Sequence, residues 1–430
     1  MKYKKRHLWI VLPILFIFTN TAVAERVFFA GYNGGFYIKS EEEGGMELRI
    51  GGAFQSDYRY YNESQRADNG FDIRRARLLF RGKLTRWVRF GMQFEFQGNE
   101  TSNIIDAYGE AVNRLHFIRF GQFKEPFSLE WQTKDKGLFF AERSMGYYLS
   151  PKRDVGIMLH GATASDILNY DIGFFNGDGP DGSTGGSEED APEVAGRIVF
   201  SPFKTSRFEW LNNFQVGASG TYAKIDAVNI DLKVKSTGMA GSTRNIYILT
   251  HNTKFGVVQN VDKRIRGAVE LAWSTGPVAV TAEYINFKYT NLEAAGEEPK
   301  DAEMESWYAS FLWNISGEDI FISKGVVKPV YPDTFFNPDN NTWGGLCLAF
   351  RVENFKGDET WINPASKVSV RDATGYSLAL NWIPFPMCRM IFDLTHTKLS
   401  DDILVNVLPD GSSEYIDKEN VFTTRFSIDF

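Results

Sequence analysis

The chain reads as an all-β protein: a transmembrane antiparallel β-barrel of about 16 strands with an inward-folded constriction loop. Three features point there: the last strand, the first 24 residues, and the lengths of the gaps between strand-like segments. In the last strand Phe422, Thr424, Phe426, Ile428 and Phe430 share one face, and Thr423, Arg425, Ser427 and Asp429 the other. Side chains alternate with period two, so one face is apolar and the other polar. This suits a strand with lipid outside and water inside. Phe426 and the terminal Phe430 are expected to form the signal for barrel assembly.

The other end agrees. Lys2, Lys4, Lys5 and Arg6 precede an apolar run from Leu8 to Phe18, and Ala22-Val23-Ala24 is a small-x-small cleavage site. The run is too short to span a bilayer, which takes about 20 residues. Residues 1–24 are therefore expected to be a secretory signal peptide, 25–45 a short periplasmic segment, and 46–430 an outer-membrane barrel.

Composition narrows the classes. The leader carries four basic residues and no acid, so the formal charge falls from −7 to −11 when it is removed. A strongly basic nucleic-acid binder is excluded. Mean hydropathy is only −0.28, which suits a barrel in which alternate residues meet lipid, although a large soluble β protein has similar numbers. Cys347 and Cys388 fall in strands 13 and 15. Two strand spacings put them about 10 Å apart, beyond the reach of a disulfide, so free thiols are expected.

Sixteen strand-like segments occupy 46–62, 71–84, 88–98, 104–112, 116–123, 154–162, 168–177, 192–202, 212–226, 264–274, 278–290, 305–315, 343–355, 365–382, 388–397 and 420–430. In the third, Val88, Phe90, Met92, Phe94 and Phe96 alternate with Arg89, Gly91, Gln93, Glu95 and Gln97. Connections after even strands are short, and most after odd strands are long. Short periplasmic turns and longer external loops have this pattern. The 316–342 segment breaks it. Asn176–Asp190 lacks calcium-loop spacing, and no nucleotide, metal or hydrolase motif is present. No enzyme, cofactor or metal site is expected.

The informative chemistry is cationic. In the second strand Ala76, Leu78 and Phe80 make one face apolar, which places Arg75, Arg77 and Arg81 on the other. An arginine facing lipid at the bilayer midplane costs about 2–4 kcal/mol, so these are expected in the lumen, joined by Arg89 and Arg119. Several weak sites in series favour conduction of anions over trapping. The structural alternative is that they brace the wall by pairing with Asp72, Glu95 and Asp106. Residues 124–153 are long, aromatic and without strand character, which is usually functional. As the third external connection they are expected to fold into the barrel, with Lys134, Lys136 and Arg143 at the constriction; an outward loop with ordinary surface charges is the alternative.

These segments also resemble a known family. Phe71-Asp72-Ile73-Arg74-Arg75-Ala76-Arg77-Leu78, Asp106-Ala107-Tyr108, Gly121 through Glu130, Glu142-Arg143-Ser144 and Asp154-Val155-Gly156-Ile157 resemble the phosphate-selective porin O/P family in order and spacing. A looser match runs through Ser316-Gly317-Glu318 and Trp343-Gly344-Gly345. The resemblance implies a trimeric 16-stranded barrel with an inward third loop, an arginine ladder and a long periplasmic connection at 316–342. By motif, Arg74, Arg75 and Arg143 correspond to ladder or constriction residues, although strict alternation puts Arg74 on the apolar face. Where phosphate-selective members have a lysine after Leu-Glu, this chain has Trp131; Arg77 and Lys124 replace tyrosines. The expected protein is an outer-membrane porin for passive diffusion of small anions, phosphate or polyphosphate first. The alternatives are a general or weakly selective porin and a non-conducting structural or adhesive barrel. Expected partners are small anions, outer-membrane lipid, the barrel-assembly machinery and two further copies of the chain, with no nucleic acid.

Overall fold

A computed structural model describes residues 27–42, 44–62, 67–97, 103–177, 179, 192–225, 230, 232–251, 253–294, 296–407 and 410–430. The expected signal peptide, and most of the Asn176–Asp190 loop, lie outside the described residues.

The alternating segments form one closed antiparallel barrel of 16 strands. The first five are β1 (Glu47–Tyr61), β2 (Gly70–Thr85), β3 (Val88–Glu95), β4 (Asn103–Asn113) and β5 (His116–Lys124). After the long third loop come β6 (Arg153–Ala162), β7 (Leu168–Phe175), β8 (Glu193–Phe200) and β9 (Gln215–Lys224). A second long excursion leads to β10 (Lys263–Thr275), β11 (Val278–Ala294) and β12 (Lys300–Asn314). The circuit ends with β13 (Gly345–Lys356), β14 (Asp372–Phe385), β15 (Cys388–Val407) and β16 (Ser413–Asp429). β16 pairs with β1 from Val421↔Tyr61 to Asp429↔Ala53 and closes the sheet. Closure removes the unpaired edges that lipid cannot hydrogen-bond.

The two faces separate as the alternation requires. On β12 Trp307, Phe311 and Trp313 are 41–46% exposed on the outer face, while Ser306, Tyr308, Ser310 and Leu312 are buried inside. On β8 Val194 and Ile198 face out and Ala195 and Arg197 are enclosed. Cys347 is buried on the inner face of β13, in register with Asn381. Cys388 pairs with Ile428 of the outward series. Both thiols are free.

Two elements add to the sequence reading. Residues 25–45 hold a hairpin, Phe28–Tyr32 against Phe36–Ser40, whose second strand pairs with β1 from Phe36↔Ile50 to Lys39↔Glu47. It takes the edge of β1 that β16 leaves free. The segment between β9 and β10 folds inward. Ile230, Leu232, Val234, Ile246, Tyr247 and Leu249 are buried with Ile285, Phe287 and Tyr289 of β11 in one cluster.

The chain terminus is locked between these parts. Phe430 and Gly52 exchange backbone hydrogen bonds of 3.0 and 2.9 Å. The Phe430 ring lies over Gly52, where any side chain would meet it, and edge-on to Phe36 at 6.5 Å. Phe426 faces outward opposite Ser56. Deleting Phe430 is expected to lower the yield of folded, heat-modifiable barrel in outer-membrane fractions more than Phe422→Ala does. Equal yields from the deletion and the wild type would remove the assembly role.

Candidate functional site: the constriction loop and its cations

The third loop, 125–152, lies inside the barrel. Its one-turn helix, Leu129–Gln132, has Ser128 as N-cap. Glu283 of β11 accepts from the backbone N–H groups of Leu129 and Glu130 at its start. Further on, Ala141 N–H donates to Asp393 at 2.8 Å and Met145 N–H to Glu353 at 2.7 Å. Arg389 donates to the Leu138 carbonyl at 2.6 Å. A loop without partners for its backbone would not remain in the barrel, and these wall side chains supply them.

Two loop carboxylates carry the other half of the attachment. Asp135 is contacted by Arg75 (3.2 Å), Arg77 and Arg143 (2.8 Å). Glu142 is contacted by Arg59 (2.6 Å), Arg74 (2.7 Å) and Arg425 (2.7 Å). Burial alone would raise the Asp135 carboxyl, but Arg75, Arg143 and Arg77 hold it well below the usual carboxylate range. Burial acts the same way on Glu142, and Arg74, Arg425 and Arg59 outweigh it. Arginine forms such contacts in a planar fork that few other groups match.

Most of the expected anion-path residues are therefore partnered. Arg74 reaches Glu142 although strict alternation aims it at lipid, because a β-bulge intervenes. Gln55 pairs with Arg75 but Ser56 with Ile73, so Arg74 is the extra residue. A bulge locally breaks the period-two rule. Arg75 also donates to Gln55, and Arg77 to Glu95 at 2.6 Å. Arg119 pairs with Glu110 at 2.7 Å and lies over the Tyr108 ring. Arg89 lies over Phe117. Of the expected bracing acids, Glu95 holds Arg77 and Asp106 holds Arg153. The anchors Asp135, Glu142, Arg59 and Arg425 were missed.

Two of the altered positions, Lys124 and Trp131, lie together. Lys124 ends β5, just beyond Gly121, whose φ of +127° and closeness to the Ala107 carbonyl leave no room for a side chain. Its ammonium donates to the Trp131 carbonyl at 2.6 Å and sits 4.6 Å from the centre of that ring. A cation thus stands on the wall across one contact from the loop position where the family resemblance calls for a lysine.

The remaining cations are those without carboxylate partners. Lys134 is exposed on the loop, with Arg81 of β2, Lys136 and Lys328 of the 315–344 connection acting on its charge. No ion pair of these four is found among the described residues. Enclosure in the barrel, then the charges of Arg81, Lys136 and Lys328, push the Lys134 ammonium down to about 8. The inward wall of β2–β6 keeps partly exposed charges, while that of β10–β15 is covered by loop and core.

A closed 16-stranded barrel with a wall-anchored internal loop is the architecture of outer-membrane porins. The family model for phosphate-selective porin O and P matches residues 48–430, and the chain belongs to that family. It is an outer-membrane porin channel, in a family of channels rather than enzymes. Among solved structures it is similar to the outer membrane channel DcaP of Acinetobacter baumannii (11% identity, 90% of this chain and 99% of that one, TM-score 0.53). An anion-selective porin from Comamonas acidovorans matches at 11% identity over 90% and 100%, TM-score 0.53. In vitro folded OmpT of Vibrio cholerae, in its trimer form, matches at 10% over 90% and 99%, TM-score 0.52. No curated protein matches the sequence.

Glu142→Gln keeps the side-chain shape but leaves Arg59, Arg74 and Arg425 with Asp57 as their remaining carboxylate. Breaking a buried ion pair from one side costs about 3–5 kcal/mol. Urea unfolding in micelles is expected to show a loss of that order, with new protease cleavage within 125–152. Because both anchor carboxyls are held low, the wild-type loop should stay protected at about pH 4, where free carboxylates protonate. Protection is then lost as pH falls through the depressed values. An unchanged midpoint and cleavage pattern in the variant would show that Glu142 is not an anchor.

Proposed function

We propose that this porin passes small anions by diffusion, with phosphate or polyphosphate as leading solutes, and that it works as a trimer. The observation that supports the anion reading is the group of unpaired cations, Lys134, Lys136, Arg81 and Lys328, beside the constriction loop. Cations on a low-dielectric wall raise the local concentration of anions. The ladder arginines position the loop, and the lysines on it select. The anion-selective fold neighbour and the family description are consistent with this, and the trimer form of a neighbour supports the assembly. The expected site residues Arg74, Arg75, Arg77 and Arg143 act here by holding Asp135 and Glu142. Lys124, Arg89 and Arg119 contribute charge along the path. Phe426 and Phe430 present the assembly signal.

One observation favours a second reading. The apolar cluster between the inward 225–262 segment, the third loop and β11 fills part of the barrel, as a non-conducting structural barrel requires. Planar-bilayer recording separates the two, since only the porin gives steps of current.

Lys134→Glu with Lys136→Glu is expected to shift the reversal potential strongly towards cations. Arg77→Ala should change selectivity less and instead increase current noise, because its partner Asp135 sits on the loop. The double variant's effect should shrink in 1 M salt, where the Debye length is about 3 Å. A double variant with the wild-type reversal potential at low salt contradicts the selecting role of the loop.

A pH titration checks the same site differently. Lys134 is charged below its value of about 8 and neutral above it. Anion preference should therefore weaken as pH rises through about 8, and Lys134→Met should lack that step. An identical pH profile in the variant assigns the step elsewhere.

A further inference from the structure

Besides the loop contacts, a cavity of about 430 Å³ lies at the short-turn end of the barrel. Its volume is that of small-molecule sites, about 300–1,000 Å³. Four parts of the chain meet there: the turn of the N-terminal hairpin, the third loop, the 315–344 connection and the ends of β13–β16. The wall is mostly apolar, with Tyr32, Phe139, Val330, Tyr331 and Ile383. The polar groups are few: Lys136, Arg389, Asp429, Asn381 and Asn33, with the Cys347 and Cys388 thiols.

Those few groups define the ligand. Asn381 is 1% exposed; its Nδ2 donates to the Phe139 carbonyl at 2.8 Å, while its Oδ1 is buried with no partner. An ionised carboxylate has no donor for that oxygen, so the anionic end of a ligand turns to the two cations of the wall. Arg389 donates to loop carbonyls and, like Lys136, has no ion pair among the described residues. Lys136 and Arg389 against Asp429 leave one positive charge in excess. Phosphate and acetate have little or no apolar surface to set against the aromatic wall, and an uncharged apolar molecule would leave the excess charge unbalanced.

We propose that this cavity binds a monoanion with an apolar body, of the arylalkanoate or short acyl carboxylate kind. The carboxylate meets Lys136 and Arg389, and the body lies between Tyr32, Phe139, Val330 and Tyr331. The site lies at the short-turn end of the barrel and shares Lys136 with the path lined by Lys134 and Arg81.

The test is calorimetric titration of 3-phenylpropionate into the refolded full barrel in micelles, with empty micelles subtracted. Saturable one-site binding is expected. Hydrogen bonds to a charged group contribute enough that Lys136→Met should weaken binding about tenfold or more. Val330→Asn, which leaves every charge in place, should also weaken it. Acetate, phosphate and 3-phenylpropan-1-ol should each bind at least about tenfold more weakly, since each lacks the body or the charge. Heat-modifiable migration checks that each variant is folded. Absence of saturable binding to the wild type overturns the proposal. So does phosphate binding as tightly as 3-phenylpropionate, or affinity unchanged in both folded variants.

Discussion

The arrangement depends on two carboxylates that are not in the wall. Asp135 and Glu142 belong to the third loop, and each is held by three arginines. Buried arginines need counter-charges, because taking an ion out of water costs more than an isolated contact returns. The loop supplies those counter-charges, and the strands supply its orientation. Removing the loop would leave Arg59, Arg74 and Arg425 facing one another around Asp57 alone. The same pairing divides the cations of this barrel into two groups. Those that meet Asp135 and Glu142 fix a shape; Lys134, on the same loop, has no ion pair among the described residues.

The interior is correspondingly two-sided. Along β10–β15 the third loop and the 225–262 segment cover the wall with an apolar cluster that includes Phe127, Trp131, Val234, Tyr247, Ile285 and Phe355. Along β2–β6 the inward residues remain polar and at least partly exposed: Arg81, Arg89, Arg119, Asp106 and His160. The path proposed for anions runs along this second side, past the loop lysines. The inward Ile285, Phe287 and Tyr289 of β11 are an exception to the simple division of apolar outside and polar inside. They meet protein, not water.

Much of this was legible in the sequence. Period-two alternation located all sixteen strands, and gap lengths separated turns from loops, because lipid imposes one constraint on every strand. Strict alternation puts Arg74 on the apolar face because one bulged residue shifts the register without altering composition; the family motif alone keeps it with the ladder residues. Asp135 and Glu142 were passed over because five of their six arginines come from β1, β2 and β16, and proximity across a closed barrel leaves no local pattern. Arg425 was visible as an inward residue of the last strand, but its partners were not. The hairpin at 28–40 was lost because its strands are five residues each. The inward 225–262 segment did carry a signal: Ile230, Leu232, Val234 and then Ile246, Tyr247, Leu249 are too apolar for a solvated loop.

A double-mutant cycle between Glu142 and Arg425 tests the anchoring most directly. Glu142→Gln, Arg425→Gln and the pair would be unfolded by urea in micelles, and the coupling read from the four free energies. Direct ionic contact predicts non-additivity within the range of about 0.5–3 kcal/mol typical of contacting residues. Effects that add to within about 0.3–0.5 kcal/mol would mean that the loop is held by its backbone contacts, and that the arginines are available to solutes after all.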